Sequence, residues 1–300
     1  MKIKTKIISA LLVIIILLAV SVTGGFAETI FIVDGYSYTV NTDGTLSLCG
    51  WDNSDSTLII PDKLNEKFVT EVAMYAFQDN DFLTELDFTK ATKFNRISTY
   101  AFENCDGLSG TLYLPYRILF LGNAAFMNCR NLEMVEFNAR TKSVPEQCFR
   151  NCASLTKVTI EAGVSEIQAN AFRNCPLLNS VTIPKTVTSI SSSAFRESPN
   201  TVIYCYYDSY AYQYAIENSI PYVLLYSVLL GDADGDGSVN VSDVTKIQRY
   251  LAELETLEGI YLRAADANQD GTVDIADATA IQMYLAEYDM EYPIGKVMTQ

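Results

Sequence analysis

Apolar and polar positions recur with a fixed period across residues 69–206. Phe77, Phe102, Phe126, Phe149, Phe172 and Phe195 are separated by 25, 24, 23, 23 and 23 residues. Alanine precedes five of them, at Ala76, Ala101, Ala125, Ala171 and Ala194, and Cys148 takes that place once. Eight and five residues earlier stand apolar pairs: Val69/Val72, Phe94/Ile97, Ile118/Leu121, Val164/Ile167 and Val187/Ile190, with Thr141/Val144 in the fourth repeat. Six, nine and eleven residues later come Leu83/Leu86/Phe88, Leu132/Val135/Phe137, Leu155/Val158/Ile160 and Leu178/Val181/Ile183. The second repeat carries one extra residue and reads Leu108, Leu112, Leu114. A unit this short cannot bury its apolar face alone, so the period predicts a stacked solenoid. Its LxxVxI segments alternate as short strands and are expected to form a parallel sheet along one side, coils ~4.8 Å apart and six coils ~29 Å long. Thr84, Glu85, Asp87, Glu133, Glu136, Thr156, Lys157, Thr159, Asn179, Ser180 and Thr182 are expected to face outward, as a recognition surface or as an idle solvated one.

Near the C-terminus the period becomes helical. Val244, Ile247 and Leu251 share one helix face, as do Ala278, Ile281 and Leu285. Each run follows a twelve-residue acidic loop, DADGDGSVNVSD at 232–243 and DANQDGTVDIAD at 266–277, starting 34 residues apart. Oxygen-bearing side chains stand at loop positions 1, 3, 5, 9 and 12, with glycine at position 6, the spacing that wraps a chain around Ca²⁺. The candidate ligands are Asp232, Asp234, Asp236, Ser238 (by its carbonyl), Asn240 and Asp243, then Asp266, Asn268, Asp270, Thr272 (by its carbonyl), Asp274 and Asp277, for two ions. Position 12 is Asp in both loops, where the usual EF-hand pattern has the longer Glu. Each unit reads as a loop followed by a helix, with no helix leading in.

This duplicated loop–helix arrangement over 229–290 resembles a type I dockerin, the module that attaches proteins of the cellulosome to cohesins on a scaffoldin. The resemblance implies cohesin contacts through loop positions 10 and 11 and helix positions 17 and 18. Those fall on Val241, Ser242, Gln248 and Arg249 in one half and Ile275, Ala276, Gln282 and Met283 in the other. Arg249 against Met283 is the point where the halves diverge, which leaves one or two binding orientations open. The array, with its recurrent AFxxC and LxxVxIP elements, resembles the BspA-type leucine-rich repeat of bacterial surface proteins. FIVDGYSYTVNTDGTLSLCGW and STLIIPDKLNEKFVTEV resemble that family's N-terminal strands, and TVIYCYYDSYAYQYAIENSIPYVLL its closing unit, with a short helix around 209–218. The implied fold is a leucine-rich-repeat solenoid over 28–226 (parallel β-sheet, α/β or mainly β), then a small all-α Ca-binding dockerin domain over 229–290 and a tail over 291–300.

Composition narrows the chemistry. Lys2, Lys4 and Lys6 precede an apolar stretch from Ile7 to about Val22, and Gly25 and Ala27 offer a cleavage site before Glu28. Residues 1–27 thus read as a secretory signal peptide, or alternatively as an uncleaved anchor, and the protein as extracellular or held at the cell surface in a cellulosome. Loss of three lysines takes the net charge from −15 to about −18, which disfavours nucleic acid as a partner. The chain has no histidine, which excludes Ser-His-Asp and Cys-His catalysis and histidine-ligated zinc. Cys105, Cys129, Cys152 and Cys175 each stand three residues after a repeat phenylalanine and follow an asparagine. That register favours a buried stack of apolar thiols over disulfides, with each Asn satisfying turn backbone. Function then reads as non-catalytic: Ca-dependent docking to a cohesin, and repeats that present a protein- or glycan-binding surface. The alternatives are a cellulosomal glycoside hydrolase working through a carboxylate pair and a purely structural or adhesive surface protein.

Overall fold

Left-handed backbone marks the corner of every coil. Two residues after each repeat phenylalanine, Asp79, Asn104, Asn128, Asn151, Asn174 and Glu197 have φ between 56° and 63°. Two residues before it, Tyr75, Tyr100, Ala124, Gln147 and Asn170 have φ between 53° and 60°. Asn is the commonest of these residues because its short polar side chain tolerates that region better than most. The paired corners turn the Ala-Phe segment inward. The computed structural model describes residues 29–298 apart from 53, 138–139, 208 and 226–227, so the leader expected over 1–27 lies outside the described residues. It divides into two compact units, one up to Val223 and one from Leu224.

The first unit is the solenoid. Its LxxVxI segments form the parallel ladder Gly110–Leu114, Leu132–Phe137, Lys157–Ile160, Ser180–Thr182 and Ile203–Cys205, with Tyr222–Leu224 paired at its end. Thr57–Ile59 and Glu85–Asp87 pair only with each other, as a separate two-stranded ladder. The single sheet expected from the pattern is therefore in two pieces. A second set of ladders comes from the apolar pairs ahead of each phenylalanine: Lys67–Val72, Arg96–Ile97 and Phe120–Leu121, then Ser143–Val144, Glu166–Ile167 and Ser189–Ile190. Strands of two residues have no alternation to read, so their pairing left no mark in the pattern. None of the eleven polar strand positions expected to face outward is buried.

Between the ladders the core repeats as columns. The six repeat phenylalanines stack with ring centroids 5.2–5.7 Å apart and planes within 8°. Cys105, Cys129, Cys152 and Cys175 form a second column, all buried and free. They are more than apolar fillers: each thiol donates to the carbonyl of a phenylalanine one coil back, Cys105 to Phe77 at 3.0 Å and Cys175 to Phe149 at 3.1 Å. In the last coil the Ser198 hydroxyl makes that bond to Phe172 at 2.7 Å. The asparagines form a third column and correct the reading above. Their side-chain amides bond mainly to one another, Asn128 to Asn104 and Asn151 to Asn128 at 2.6 Å, Asn174 to Asn151 at 2.9 Å, ending on Asp79.

Each end of the solenoid is closed differently. Phe31–Val33, Tyr36–Val40 and Leu46–Trp51 form an antiparallel meander whose last strand pairs in parallel with Lys67–Val72. Asp34 and Gly35, at φ 51° and 81°, make the two-residue turn that fits the twist of a hairpin. At the other end α1, Tyr210–Glu217, is capped by Ser209 and seats Tyr214 against Phe195, ring centroids 6.2 Å apart.

The second unit contains α2 (Val241–Leu251), α3 (Gly259–Ala265) and α4 (Ile275–Leu285) around a core of Leu230, Val244, Ile247, Ala265, Ala278, Ile281 and Ile294. Two expectations change here. The second loop does have a helix leading into it, because α3 runs directly to Asp266, with Ile260, Ala264 and Ala265 buried. The segment read as a tail is also part of the fold: Ile294 is buried, Leu230 and Gly295 exchange backbone bonds with their partners Lys296 and Leu230 at 3.0 and 2.8 Å, and Met298 donates to Val228. Among the described residues no helix is long and apolar enough to cross a membrane.

Asn128 tests how the corners are held, because it bonds a neighbour on each side from a φ of 63°. Asn128→Ala is expected to cost the solenoid about 2 kcal/mol, from lost hydrogen bonds and left-handed strain. Asn128→Gly should recover about 1 kcal/mol of this, since glycine adopts that φ freely. Urea unfolding of the two variants measures the difference, and equal losses would place the whole cost in the amide column.

Candidate metal centre

Each acidic loop is organised by its own backbone before any cation is considered. Glycine stands at position 6 of both, Gly237 at φ 90° and Gly271 at φ 91°, where other residues are strained. Position 4 is left-handed too, as Gly235 at φ 78° and Gln269 at φ 59°. A Cβ on Gly235 would meet the Tyr261 ring of α3 at 2.3 Å, so the first loop can follow this path only with glycine there.

The first and last carboxylates anchor the loops in the same way. Asp232 accepts from the N–H groups of Gly235 and Gly237 at 2.8 and 3.1 Å, and Asp266 from Asp270 and Gly271 at 3.0 and 2.9 Å. Asp243 accepts from Asp234 at 3.0 Å and Asn240 at 2.8 Å; Asp277 accepts from Asn268 at 3.1 Å and Asp274 at 2.8 Å. Asp243 and Asp277 are fully buried and sit in the first turns of α2 and α4, each closing a capping box with the helix N-cap. Asp232 is buried as well. The Asp at position 12 thus reaches back across the loop despite its short arm.

The donor set suits a hard cation. Asp232, Asp234 and Asp236 offer carboxylate oxygens that all lie within 4.8 Å of one another. In the second loop position 3 is the amide of Asn268, and Asp274 at position 9 restores the charge, so each loop carries four carboxylates. Oxygen donors in this number, with no nitrogen or sulfur among them, fit Ca²⁺ rather than a softer metal. The electrostatics agree. Burial pushes the Asp243 carboxyl up to about 6, aided by the charges of Asp234 and Asp232 and opposed by its two backbone hydrogen bonds. Burial likewise raises Asp232 and Asp277, with neighbouring carboxylates adding to it. Asp270, exposed and bonded by the Thr272 hydroxyl, is lowered.

The residues expected to contact a partner are all exposed: Val241, Ser242, Gln248 and Arg249 on α2, Ile275, Ala276, Gln282 and Met283 on α4. Val241 is 71% exposed and Ile275 62%. Arg249 is tied to Glu255 at 2.6 Å, beside Lys246 at 2.8 Å from the same carboxylate; Met283 has no such tie. The interest of Tyr261 and of residues 292–298 escaped the sequence pattern, which gives contacts within a loop but not what packs on it.

Known proteins resemble the chain in two separate places. Residues 70–202 match the BspA type leucine rich repeat region in six copies, and residues 230–286 match the dockerin type I domain. A leucine rich cell surface protein from Faecalibacterium prausnitzii A2-165 shares 26% identity over 64% of this chain and 43% of its own, with a TM-score of 0.45. A leucine-rich repeat protein from Eubacterium ventriosum ATCC 27560 shares 19% over 55% of this chain and 50% of its own, at 0.40. A T. pallidum leucine rich repeat protein shares 18% over 58% of this chain and 70% of its own, at 0.37. The chain thus spans half or less of the length of the first two. No curated protein matches it. The chain is a BspA-type leucine-rich repeat protein with a C-terminal type I dockerin domain.

Proposed function

We propose that this is a secreted, non-catalytic binding protein of a cellulosome, docked through its second unit to a cohesin on a scaffoldin and presenting its solenoid to a protein or glycan. Type I dockerin domains bind calcium and cohesins, and the repeats found here are of a non-catalytic type. One observation carries the docking reading: two acidic loops of equal charge are each followed by a helix that begins with an exposed aliphatic residue, Val241 and Ile275. Exposed aliphatic side chains at the start of a helix are what a partner surface would cover.

Two Ca²⁺ ions would be held by Asp232, Asp234, Asp236, Asn240 and Asp243 with the Ser238 carbonyl, and by Asp266, Asn268, Asp270, Asp274 and Asp277 with that of Thr272. Bound there, each ion would offset two of its loop's four negative charges and supply folding energy that so small a core needs. Asp243 and Asp277 connect the metal to the contact surface, because each caps the helix that carries its exposed aliphatic residue.

Docking should require the metal. Capture of the full chain on an immobilised type I cohesin is expected in Ca²⁺ and absent in EDTA; equal capture in both would sink the Ca-dependent reading. Val241→Asp or Ile275→Asp alone should preserve binding if the halves substitute for each other. The double variant should lose on the order of 100-fold, as for removal of an interface hot spot.

The metal-free unit should respond to pH in the opposite sense from the loaded one. Without a cation the Asp243 carboxyl is raised to about 6 in the folded state, so folding favours its protonated form. That contribution is complete below the ordinary carboxyl range and is lost as pH rises through about 6. In EDTA the second unit is therefore expected to melt higher at pH 5 than at pH 7. In Ca²⁺ the order reverses, because the ion needs the carboxylate deprotonated. Calorimetry at the two pH values reads both signs.

A further inference from the structure

The one irregular repeat opens the strand ladder beside an uncovered aromatic ring. In the second repeat the extra residue falls near Gly110, which takes φ 65° with open space around it, and the register shifts between Leu132 and Met134. Glu85–Asp87 pairs back to Thr57–Ile59 and Gly110–Leu114 pairs forward to Leu132–Phe137, but the two do not pair with each other. Between them lies a trough of about 430 Å³, walled by Glu85, Asp87, Thr89, Tyr113, Pro115 and Arg117. Tyr113 is 66% exposed. Among the described residues it stacks on no ring and meets no cation, whereas the Arg140 guanidinium lies 5.3 Å over the ring of nearby Tyr116.

We propose that this trough binds one ring of a neutral glycan, with Tyr113 as the stacking platform and Asp87, Glu85 and Arg117 as the hydroxyl partners. The inference rests on the reading of the solenoid as a presenting surface. A pyranose has an apolar C–H face and a rim of hydroxyls, so it needs one aromatic face beside fixed acceptors and donors. Asp87 is a fixed acceptor: the Thr89 hydroxyl and N–H hold its carboxyl below the usual range. Arg117 is a fixed donor, anchored by one nitrogen on the Ala91 carbonyl at 2.6 Å with further N–H groups on the same guanidinium. Two carboxylates against one guanidinium repel an acidic sugar. An inserted peptide strand fits less well, because Ser109 already donates across the gap to Thr84 at 3.3 Å. Beyond the trough the same outward row continues in register as Glu136, Thr159, Thr182 and Tyr204, polar positions along which a longer glycan would lie.

Affinity electrophoresis of the full chain tests this in gels containing hydroxyethyl cellulose, soluble xylan or polygalacturonate. Retardation is expected from at least one neutral polymer and not from polygalacturonate. Tyr113→Ala should weaken it by about ten-fold and Asp87→Asn by less, as for loss of one aromatic contact and of one charged acceptor. Tyr75→Ala, at an exposed ring stacked on Tyr100, should leave it unchanged. No retardation by either neutral polymer, unchanged retardation of Tyr113→Ala, or preference for polygalacturonate overturns the proposal. Cohesin capture of the same samples separates the two readings: a silent gel with intact capture removes the trough alone.

Discussion

The N–H of Phe102 donates to the carbonyl of Ala125 in the next coil, and the thiol of Cys129 returns to the carbonyl of Phe102. The same exchange recurs along the array, with Asn128 and Asn104 sharing an amide bond beside it. Each coil therefore leaves its groups half satisfied and depends on its neighbour to complete them, as a buried backbone must. Three demands coincide: rings at stacking distance, thiols one coil from a carbonyl, and amides within reach of each other. The period of 23–25 residues along this array meets all three. That constraint explains why the ends need separate devices. The last coil substitutes the Ser198 hydroxyl for a thiol, and α1 covers the final phenylalanine with Tyr214.

The same constraint disposes of the cysteines. Burial pushes Cys105 and Cys175 up to about 12 and raises Cys129, Cys148 and Cys152 well above the ordinary thiol range. A thiol held in that form is a poor nucleophile. In Cys105, Cys129, Cys152 and Cys175 the S–H is also committed to a carbonyl, so these four act as small donors that fit where a larger side chain would not. Ser198 in the equivalent place shows that the position selects for a compact donor rather than for sulfur chemistry.

What was legible in the sequence was what repeats. Phenylalanines and cysteines at one spacing announced stacked coils, and two loops with one spacing of acidic residues announced a duplicated acidic turn. What was hidden depended on distant partners. Strands such as Arg96–Ile97 are too short to alternate and exist only because their neighbours present matching edges. The Asn amides seemed suited to turn backbone, but stacking in register brings identical amides to 2.6 Å, which no single repeat can reveal. Ile294 reads as part of a tail until Leu230 is seen beside it. Helix α3 was missed because GIYLRAA is short and carries no side-chain cap.

The two units reach stability by opposite routes. In the solenoid each inner coil is completed by its neighbours, through stacked rings, thiol–carbonyl bonds and amide bonds. In the second unit the acidic loops bring four carboxylates together, and the buried Asp243 is already held near 6 by its surroundings. Backbone hydrogen bonds shape these loops but do not cancel their charge. On the calcium reading their folding is expected to depend on a cation, whereas the solenoid is held by contacts between its coils. On the docking reading, this division confines metal dependence to attachment: calcium would decide whether α2 and α4 present Val241 and Ile275, while the solenoid keeps its surface in either condition.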